Sequence, residues 1–595
     1  MPLRDYAALG DGRTVALVAR DGQVDWMPVP ALHTPPVFAA LVDAERGGRF
    51  ELRPEAEFEA TREYVPGTNV LRTTFRTAAG VVTVTDALVT GIAGRLPWLE
   101  LARRVDGVSG RVDMRWAVVP GDVFRSGEVS RIDTVHGPLL RVAHIDLALI
   151  GSEHGRLDPH EPGDGFPEGP LSFFGAFTTA PGSRHLIALC GTEDEPIHLP
   201  DPANVDRGID RTIASWETWS DEFDYEGPWQ AAVQRSGLAL KTLIFAPTGA
   251  IAAAATTGLP ENVNGGKNYD YRFAWVRDLA YTVGALIRFG LREETHAAVS
   301  WVLKALKEHD HQLQIFFELD GTVPARRSRR VDAVGWNGIG PVLEGNDASG
   351  QLQLGVFADV VGIMRRYVEA GNILDERTSE LLVSFTDEAC RRWPEKDSGM
   401  WELPQKKHYV SSKIACWQAI DDALHLASIG EIRPSDDDLA HWTRNRELIA
   451  EWIAEHGWSA ERGSYIMAKG DERLDASMLL HAAHPFGPRE RMEATVAAID
   501  EELSAGPLLY RYSGVEAEEG TFVACAFWLV EAQARLGRVP EASARMDELV
   551  ALANDVGLYA EMISAESHHA FLGNLPQGLS HLALIDAAVA IRSQS

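Results

Sequence analysis

The chain has 595 residues, a formal net charge of -30 and a pI of about 5.0. A protein this acidic makes a poor partner for nucleic acid or an anionic membrane, and suits a neutral or cationic ligand. Its hydrophobic content of 45% is that of a globular protein, and its length exceeds what one core normally serves, so two domains or one very large one are expected. The four cysteines, Cys190, Cys390, Cys416 and Cys525, form no CxxC and suit a reducing compartment better than a disulfide framework or a zinc site. Met1-Pro-Leu-Arg-Asp-Tyr6 has no apolar h-region, and no run is long and apolar enough to span a bilayer. A cytoplasmic protein is therefore expected, without nucleic-acid or membrane partners and with oligomeric state left open, a homo-oligomer included.

Residues 1 to about 200 read as β-structure. Alternating runs such as Val112-Asp-Met114-Arg-Trp116 and Val82-Thr-Val84-Thr recur, separated by turn signals at Asp11-Gly12, Asp21-Gly22, Pro66-Gly67 and Pro181-Gly182. Many short strands with regular turns predict an antiparallel sandwich. Residues 158–167 read as a long exposed loop.

Near residue 203 the period changes. Val205 to Phe223 predicts a polar helix carrying Trp216 and Trp219, a linker between domains. From Trp229 onward helix follows helix. Expected spans are Gln230–Thr242, Asp278–Phe289, Glu293–Lys307, Gln351–Glu369, Glu376–Arg392, Ser411–Ile429, Asp436–His456, Pro488–Ser504, Gly520–Leu536, Pro540–Ala553 and Gln577–Arg592. Short loops favour antiparallel neighbours, and periodicity alone leaves an irregular bundle and a closed toroid of helix pairs both open.

Three inter-helix loops are too polar and aromatic to be plain connectors. The first, residues 268–278, packs Tyr269, Tyr271, Phe273 and Trp275 among Asp270, Arg272, Arg277 and Asp278 at the entry to a helix. Aromatic faces beside fixed charges suit a polyhydroxylated ring, with apolar C–H faces to stack and hydroxyls to bond. The second is Asp397-Ser-Gly-Met-Trp401-Glu402, and the third holds Tyr559-Ala-Glu561 and Gly573-Asn574. Glu402 and Glu561 each stand beside an aromatic residue. Glycoside cleavage needs two such carboxyls, one protonated to serve the leaving oxygen and one ionised to act on water or on the anomeric carbon. Any single Glu among 86 acidic residues is better explained as a solvated loop charge; the joint pattern lifts these two. His408 and His581 read as structural, with no second ligand at metal spacing, so no metal or other cofactor is expected. Trp417 and Trp528 read as core. Asp347 reads as a cap of the helix expected from Gln351.

Six segments then resemble glycoside hydrolase family 15, the glucoamylase, glucodextranase and trehalase group. They are Tyr269-Asp-Tyr-Arg-Phe-Ala-Trp-Val-Arg-Asp278, Gly345-Asn-Asp-Ala-Ser-Gly-Gln-Leu-Gln-Leu354, Gly399-Met-Trp-Glu402, Ser412-Lys-Ile-Ala-Cys-Trp417, Glu519-Gly-Thr-Phe522 with Phe527-Trp-Leu, and Gly573-Asn-Leu-Pro-Gln-Gly-Leu-Ser-His-Leu-Ala-Leu584. They occur in the family's order across nearly the whole chain. The resemblance implies a multidomain β + α fold: an N-terminal antiparallel β-sandwich (1–202), a helical linker (203–228) and a catalytic (α/α)6 barrel (229–595). It also implies an inverting exo-hydrolase that releases glucose from an α-glucoside. Glu402 matches the general acid and Glu561 the general base, with Glu561 preferred to Glu566 for its spacing to Tyr559. Arg277 and Asp278 match the pair gripping the terminal glucose, Trp275 and Trp401 its aromatic walls, and Arg511 a substrate-binding arginine. Inversion requires the two carboxyls to stand about 6.5–9.5 Å apart, with a water between base and sugar. Trehalose is the favoured substrate, ahead of α-1,4- or α-1,6-linked gluco-oligosaccharides. A phosphate-dependent disaccharide phosphorylase and a non-catalytic sugar-binding protein are the rival readings. The segment Leu403-Pro404-Gln405-Lys406-Lys407 departs from the relatives, so linkage preference is not carried over, and Met562 follows Glu561 where many bacterial members have a second Glu.

Overall fold

The computed structural model describes residues 1–91, 94–124, 129–151, 156–159, 171–309, 314–324, 327–484, 486–566 and 570–594. Two eight-stranded antiparallel sheets make up the N-terminal part. The first runs in the order Tyr6–Gly10, Val15–Ala19, Val24–Pro28, Gly48–Pro54, Val112–Pro120, Leu171–Thr179 and Arg156–Pro159, with Pro36–Phe38 paired to Val24–Pro28. The second runs Val129–Thr134, Gly137–Val142, Ile145–Gly151, Arg184–Glu193, Leu99–Gly110, Gly80–Leu88, Leu71–Thr77 and Phe58–Tyr64. Of the loop expected at 158–167, residues 158 and 159 belong to a strand and the rest lie outside the described residues.

Alternation decides which side chains face inward. Along Leu71–Thr77, Leu71, Thr73 and Phe75 are buried while Arg72 and Arg76 are exposed. Trp26, Phe50 and Trp116 of the first sheet share a core with Phe75, Leu101 and Val105 of the second. The odd-numbered residues at Leu101 and Val105 face that core, whereas Ala102 faces the other way. There it meets helix α1 (Pro202–Asp221), whose Val205, Ile209 and Trp216 cover the outer face of the second sheet. The linker helix thus begins three residues earlier than the apolar pattern suggested, because Asp201 caps it by accepting from the Ala203 N–H.

The remaining helices are α2 (Gln230–Leu243), α3 (Val276–Arg288), α4 (Arg292–Glu308), α5 (Val356–Glu369), α6 (Glu376–Arg392), α7 (Val410–Ser428), α8 (Asp436–His456), α9 (Arg489–Leu503), α10 (Val523–Arg535), α11 (Val539–Val550) and α12 (Gly578–Gln594). A 3-10 segment, Ala476–Ala482, lies between α8 and α9 and was not expected. Packing runs from α3 to α5, α5 to α7, α7 to the 3-10 segment, onward to α10, from α10 to α12, and from α12 back to α3. The other helices lie against this set: α2 on α12, α4 on α3, α6 and α8 on α7, α9 on the 3-10 segment and α11 on α10. Burial follows the same division. In α10 every residue from Val523 to Ala534 is buried, whereas α8 buries only Trp442, Asn445, Ile449 and Ile453, a single stripe. No helix among the described residues is long and apolar enough to cross a membrane.

The helix expected from Gln351 starts at Val356 instead. Leu352 and Leu354 are buried ahead of the helix, and the Leu354 N–H donates to Asp397 at 3.0 Å rather than to a helical carbonyl. Asp347 is accordingly no cap; it accepts from the Ser328 N–H at 2.8 Å. The two halves of the chain are joined by specific contacts. Trp26 Nε1 donates to the Ala255 carbonyl at 2.9 Å, Arg62 pairs with Asp555 at 2.8 Å, and Asn554 Nδ2 donates to the Tyr6 carbonyl at 2.9 Å.

Candidate active site

Helix α3 begins where the first aromatic loop ends. Trp275 is its extended N-cap residue, Asp278 lies in its first turn where a carboxylate favours the helix dipole, and Leu279, Val283 and Leu286 bury one stripe. Gly290, at φ +74°, lets the chain turn away after the last turn. The loop is thereby held rigidly at the helix start. Arg277 pairs with Asp278 at 3.0 Å and donates from Nη1 to the Met400 carbonyl at 2.8 Å, tying this loop to the one carrying Trp401 and Glu402.

Glu402 sits at φ +57°, a left-handed conformation that costs a non-glycine residue roughly 1 kcal/mol or more. Its backbone is pinned there: Glu402 N–H donates to the Gly399 carbonyl at 3.3 Å, and Gln351 Nε2 donates to the Glu402 carbonyl at 3.2 Å. The side chain accepts from Trp275 Nε1 at 2.9 Å. Burial raises the Glu402 carboxyl above its ordinary value; Arg277 and the indole N–H oppose that rise, and Asp278 adds to it. Trp401 stacks edge-on with Phe522 at 5.8 Å and donates from Nε1 to buried Asp475 at 2.8 Å.

Glu561 comes from the loop before α12 and is 1% exposed, whereas Glu566 is exposed. Its carboxylate accepts from the Asn574 N–H at 3.3 Å, and its own N–H donates to the Asn574 carbonyl at 3.1 Å. His581 supports this segment: its Nε2 accepts from the Tyr559 N–H at 3.3 Å while Nδ1 faces Ser236 Oγ at 3.0 Å, so the ring is a buried structural group. Glu561 is pushed well above the ordinary value by burial and then by Glu261, against Arg511 and the Asn574 N–H.

Arg511 is 9% exposed and held by two carboxylates. Nε and Nη2 donate to Glu519, and Nη2 also reaches Glu261 at 3.3 Å, while Lys267 Nζ donates to Glu519 at 2.7 Å. Nη1 makes no hydrogen bond among the described residues. Tyr271 connects the groups: its phenol is raised by burial and then by Glu561, Glu261 and Glu402. The seven residues singled out from the sequence (Trp275, Arg277, Asp278, Trp401, Glu402, Arg511 and Glu561) therefore gather around one region. Trp528, 3% exposed, packs against Trp401 as core, and Trp417 is partly buried against Phe486.

Two acids escaped the sequence reading. Glu261 is fully buried, and Asp359 of α5 faces Arg277. Arg277 and Met400 also line a cavity of about 320 Å³ that runs past Tyr281, Asp359 and Arg366 to Trp528. A second cavity, about 520 Å³, is lined by His33, Arg272, Glu318 and Glu344, and neither cavity is lined by Glu402 or Glu561. Among the described residues no group of three or more His, Cys, Asp or Glu is disposed to hold a metal ion.

Residues 227–589 match the model of the glycosyl hydrolases family 15, and residues 1–120 match a trehalase-like N-terminal domain. The chain belongs to glycosyl hydrolases family 15. A trehalase of Mycobacterium tuberculosis is 32% identical over 99% of this chain and 89% of its own length. A trehalase of Thermoplasma volcanium is 29% identical over 98% of this chain and 92% of its own. The overall fold of this family 15 member is that of a bacterial glucoamylase crystallised with acarbose, with a TM-score of 0.71 at 13% identity over 99% of this chain and 94% of that one. The chain is a glycoside hydrolase, with an N-terminal antiparallel β-sheet domain and a C-terminal helical domain.

Proposed function

We propose that this family 15 enzyme is an inverting exo-acting α-glucoside hydrolase whose substrate is trehalose. The observation carrying the mechanism is the pair of carboxyls Glu402 and Glu561, delivered by different loops and each held by a donor, the Trp275 indole on Glu402 and the Asn574 N–H on Glu561. Glu402, raised by burial and held by the Trp275 indole, acts as the general acid and gives its proton to the glycosidic oxygen as the C–O bond breaks. Glu561 acts as the general base and takes a proton from a water whose oxygen bonds to the anomeric carbon on the opposite face. One water is consumed, and the two carboxyls exchange protonation states and reset through solvent. Arg277 and Asp278, mutually oriented and anchored on Met400, grip the terminal glucose hydroxyls by charge-assisted hydrogen bonds. Trp275 and Trp401 wall that subsite, and Arg511 offers Nη1.

The choice of trehalose is supported by relatives named trehalase that align along nearly the full chain. The fold is read as a β-sandwich over residues 1–202, a linker over 203–228 and an (α/α)6 barrel over 229–595; the return of α12 to α3 supports the barrel. Four buried unpaired cysteines fit a reducing, cytoplasmic setting.

The test is proton NMR of the sugar released from trehalose, maltose, isomaltose and maltotriose. Inversion at trehalose yields α- and β-glucose in equal initial amounts, because the leaving glucose keeps its configuration; retention yields α-glucose alone. Maltose would give β-glucose at the newly cleaved end. Rapid turnover of maltose with inert trehalose would make the enzyme a glucoamylase or glucodextranase type. Glucose 1-phosphate formed only with inorganic phosphate would make it a phosphorylase.

A further inference from the structure

Glu261 is a fully buried carboxyl of the site that the mechanism above does not use. Its backbone places it beside Glu561 by two independent routes. Pro260, its neighbour, accepts from the Gly573 N–H at 2.8 Å, and Gly573 is packed directly against the Glu561 carboxyl. On the other side the Glu261 carbonyl accepts from the Gly520 N–H at 2.9 Å, next to the strand Thr521–Phe522 that pairs with Met562–Ile563. Its side chain is held unequally compared with Glu519. Glu519 receives two Arg511 donors and Lys267, whereas Glu261 receives only Arg511 Nη2 and the Tyr271 hydroxyl, each at 3.3 Å.

We propose that Glu261 is a positioning residue of the hydrolysis: with Glu519 it clamps Arg511 so that Nη1 remains for substrate, and it stands as a second carboxyl behind Glu561. This rests on the reading of Glu561 as the base. Every group facing Glu261 bears on the outcome. Arg511 and Glu519 lie on one side, Lys267, Tyr269 and Tyr271 on its own loop, and Glu561 on the third. Burial raises Glu261 to about 7; Arg511 lowers it and Glu519 raises it. Glu261 and Glu561 therefore titrate as a pair, and the acid limb of activity belongs to both. An ionised Glu261 resists ionisation of Glu561.

The experiment compares pH profiles of kcat/KM for the wild type, Glu261→Gln and Glu261→Asp, on the sugar hydrolysed fastest. Glu261→Gln keeps the size of the side chain, removes the charge and turns one of the two acceptor oxygens into an NH2 donor, so the acid limb should move down by about one pH unit. Glu261→Asp keeps the charge but withdraws it from Arg511, so the limb should stay near its wild-type position while KM rises. A Glu261→Gln profile that superimposes on the wild type overturns the proposal. If that variant does not fold, a Glu261→Asp limb displaced downward does the same. Glu561→Gln serves as the separate control: if it retains near-normal hydrolysis, the base reading itself has failed, whatever Glu261 does.

Discussion

The indole Nε1 of Trp275 donates a hydrogen bond of 2.9 Å to Oε1 of Glu402. A donor aimed at a carboxyl favours its ionised form, so Trp275 restrains the rise that burial imposes on the acid. Glu402 must be protonated to act, and its titration sets the alkaline limb. Trp275→Phe removes the donor and keeps most of the ring. The alkaline limb of kcat/KM should therefore move to higher pH, by less than about one unit. A limb that moves to lower pH would contradict the acid assignment.

Loss of either carboxyl should separate chemistry from folding. Glu402→Gln and Glu561→Gln should each lower kcat by about 10²–10⁴-fold. Their thermal unfolding midpoints should match or exceed the wild type, since each removes a charge-bearing group from a desolvated place. Initial-rate assays beside thermal denaturation check both halves.

Gly573 gives a sharper geometric test. At φ +70°, a Cβ added there would lie 2.5 Å from Glu561 Oε2 and 2.7 Å from its Cβ. Gly573→Ala must displace the base, and a shift of about 1 Å at a reacting group can cost about 10²-fold in rate. Unchanged kcat in this variant would mean that Glu561 does not need its observed position.

His481 and His581 make stability depend on pH. Burial pushes each imidazole down to about 3, with His484 or Arg235 adding to the shift. The unfolded chain takes up these protons near pH 6.5 while the folded chain does not, so stability is full above that pH and falls as pH drops toward 3. At pH 5 each histidine costs about 2 kcal/mol relative to pH 7. His581→Gln should then lie closer in midpoint to the wild type at pH 5 than at pH 7. A gap that is the same at both pH values would show that His581 is not held neutral.

Much of this architecture was legible from local pattern. The spans Glu376–Arg392 and Asp436–His456 were readable to the residue, because each starts at a capping side chain, Asp375 or Ser435, and carries a clear stripe. The start of α5 was not. Gln351-Leu-Gln-Leu354 has an apolar residue at every second position, which suits an extended run as well as a helix end, and the partner that decides it, Asp397, is 43 residues away. The 3-10 segment at 476–482 is too short to establish a period. In the site, Glu402 and Glu561 could be singled out because Trp401 adjoins the one and Tyr559 stands two residues before the other. Glu261 could not: it follows Leu259-Pro260 in a stretch of Asn and Gly, and its partners Arg511 and Glu519 are about 250 residues distant. Burial by remote chain leaves no mark on the local sequence.

The contact of α12 with α3 has a consequence for how the enzyme comes into being. Trp275, Arg277 and Asp278 precede α12 by about 300 residues, and the loop bearing Glu561 and Asn574 lies just before that helix. The two carboxyls meet only when the segment bearing Glu561 and Asn574 docks against the first aromatic loop, through Asn574, and against the Tyr6 strand, through Asn554. A chain cut before Glu561 lacks the proposed base together with α12, so the sheet domain and the earlier helices alone should not hydrolyse the sugar.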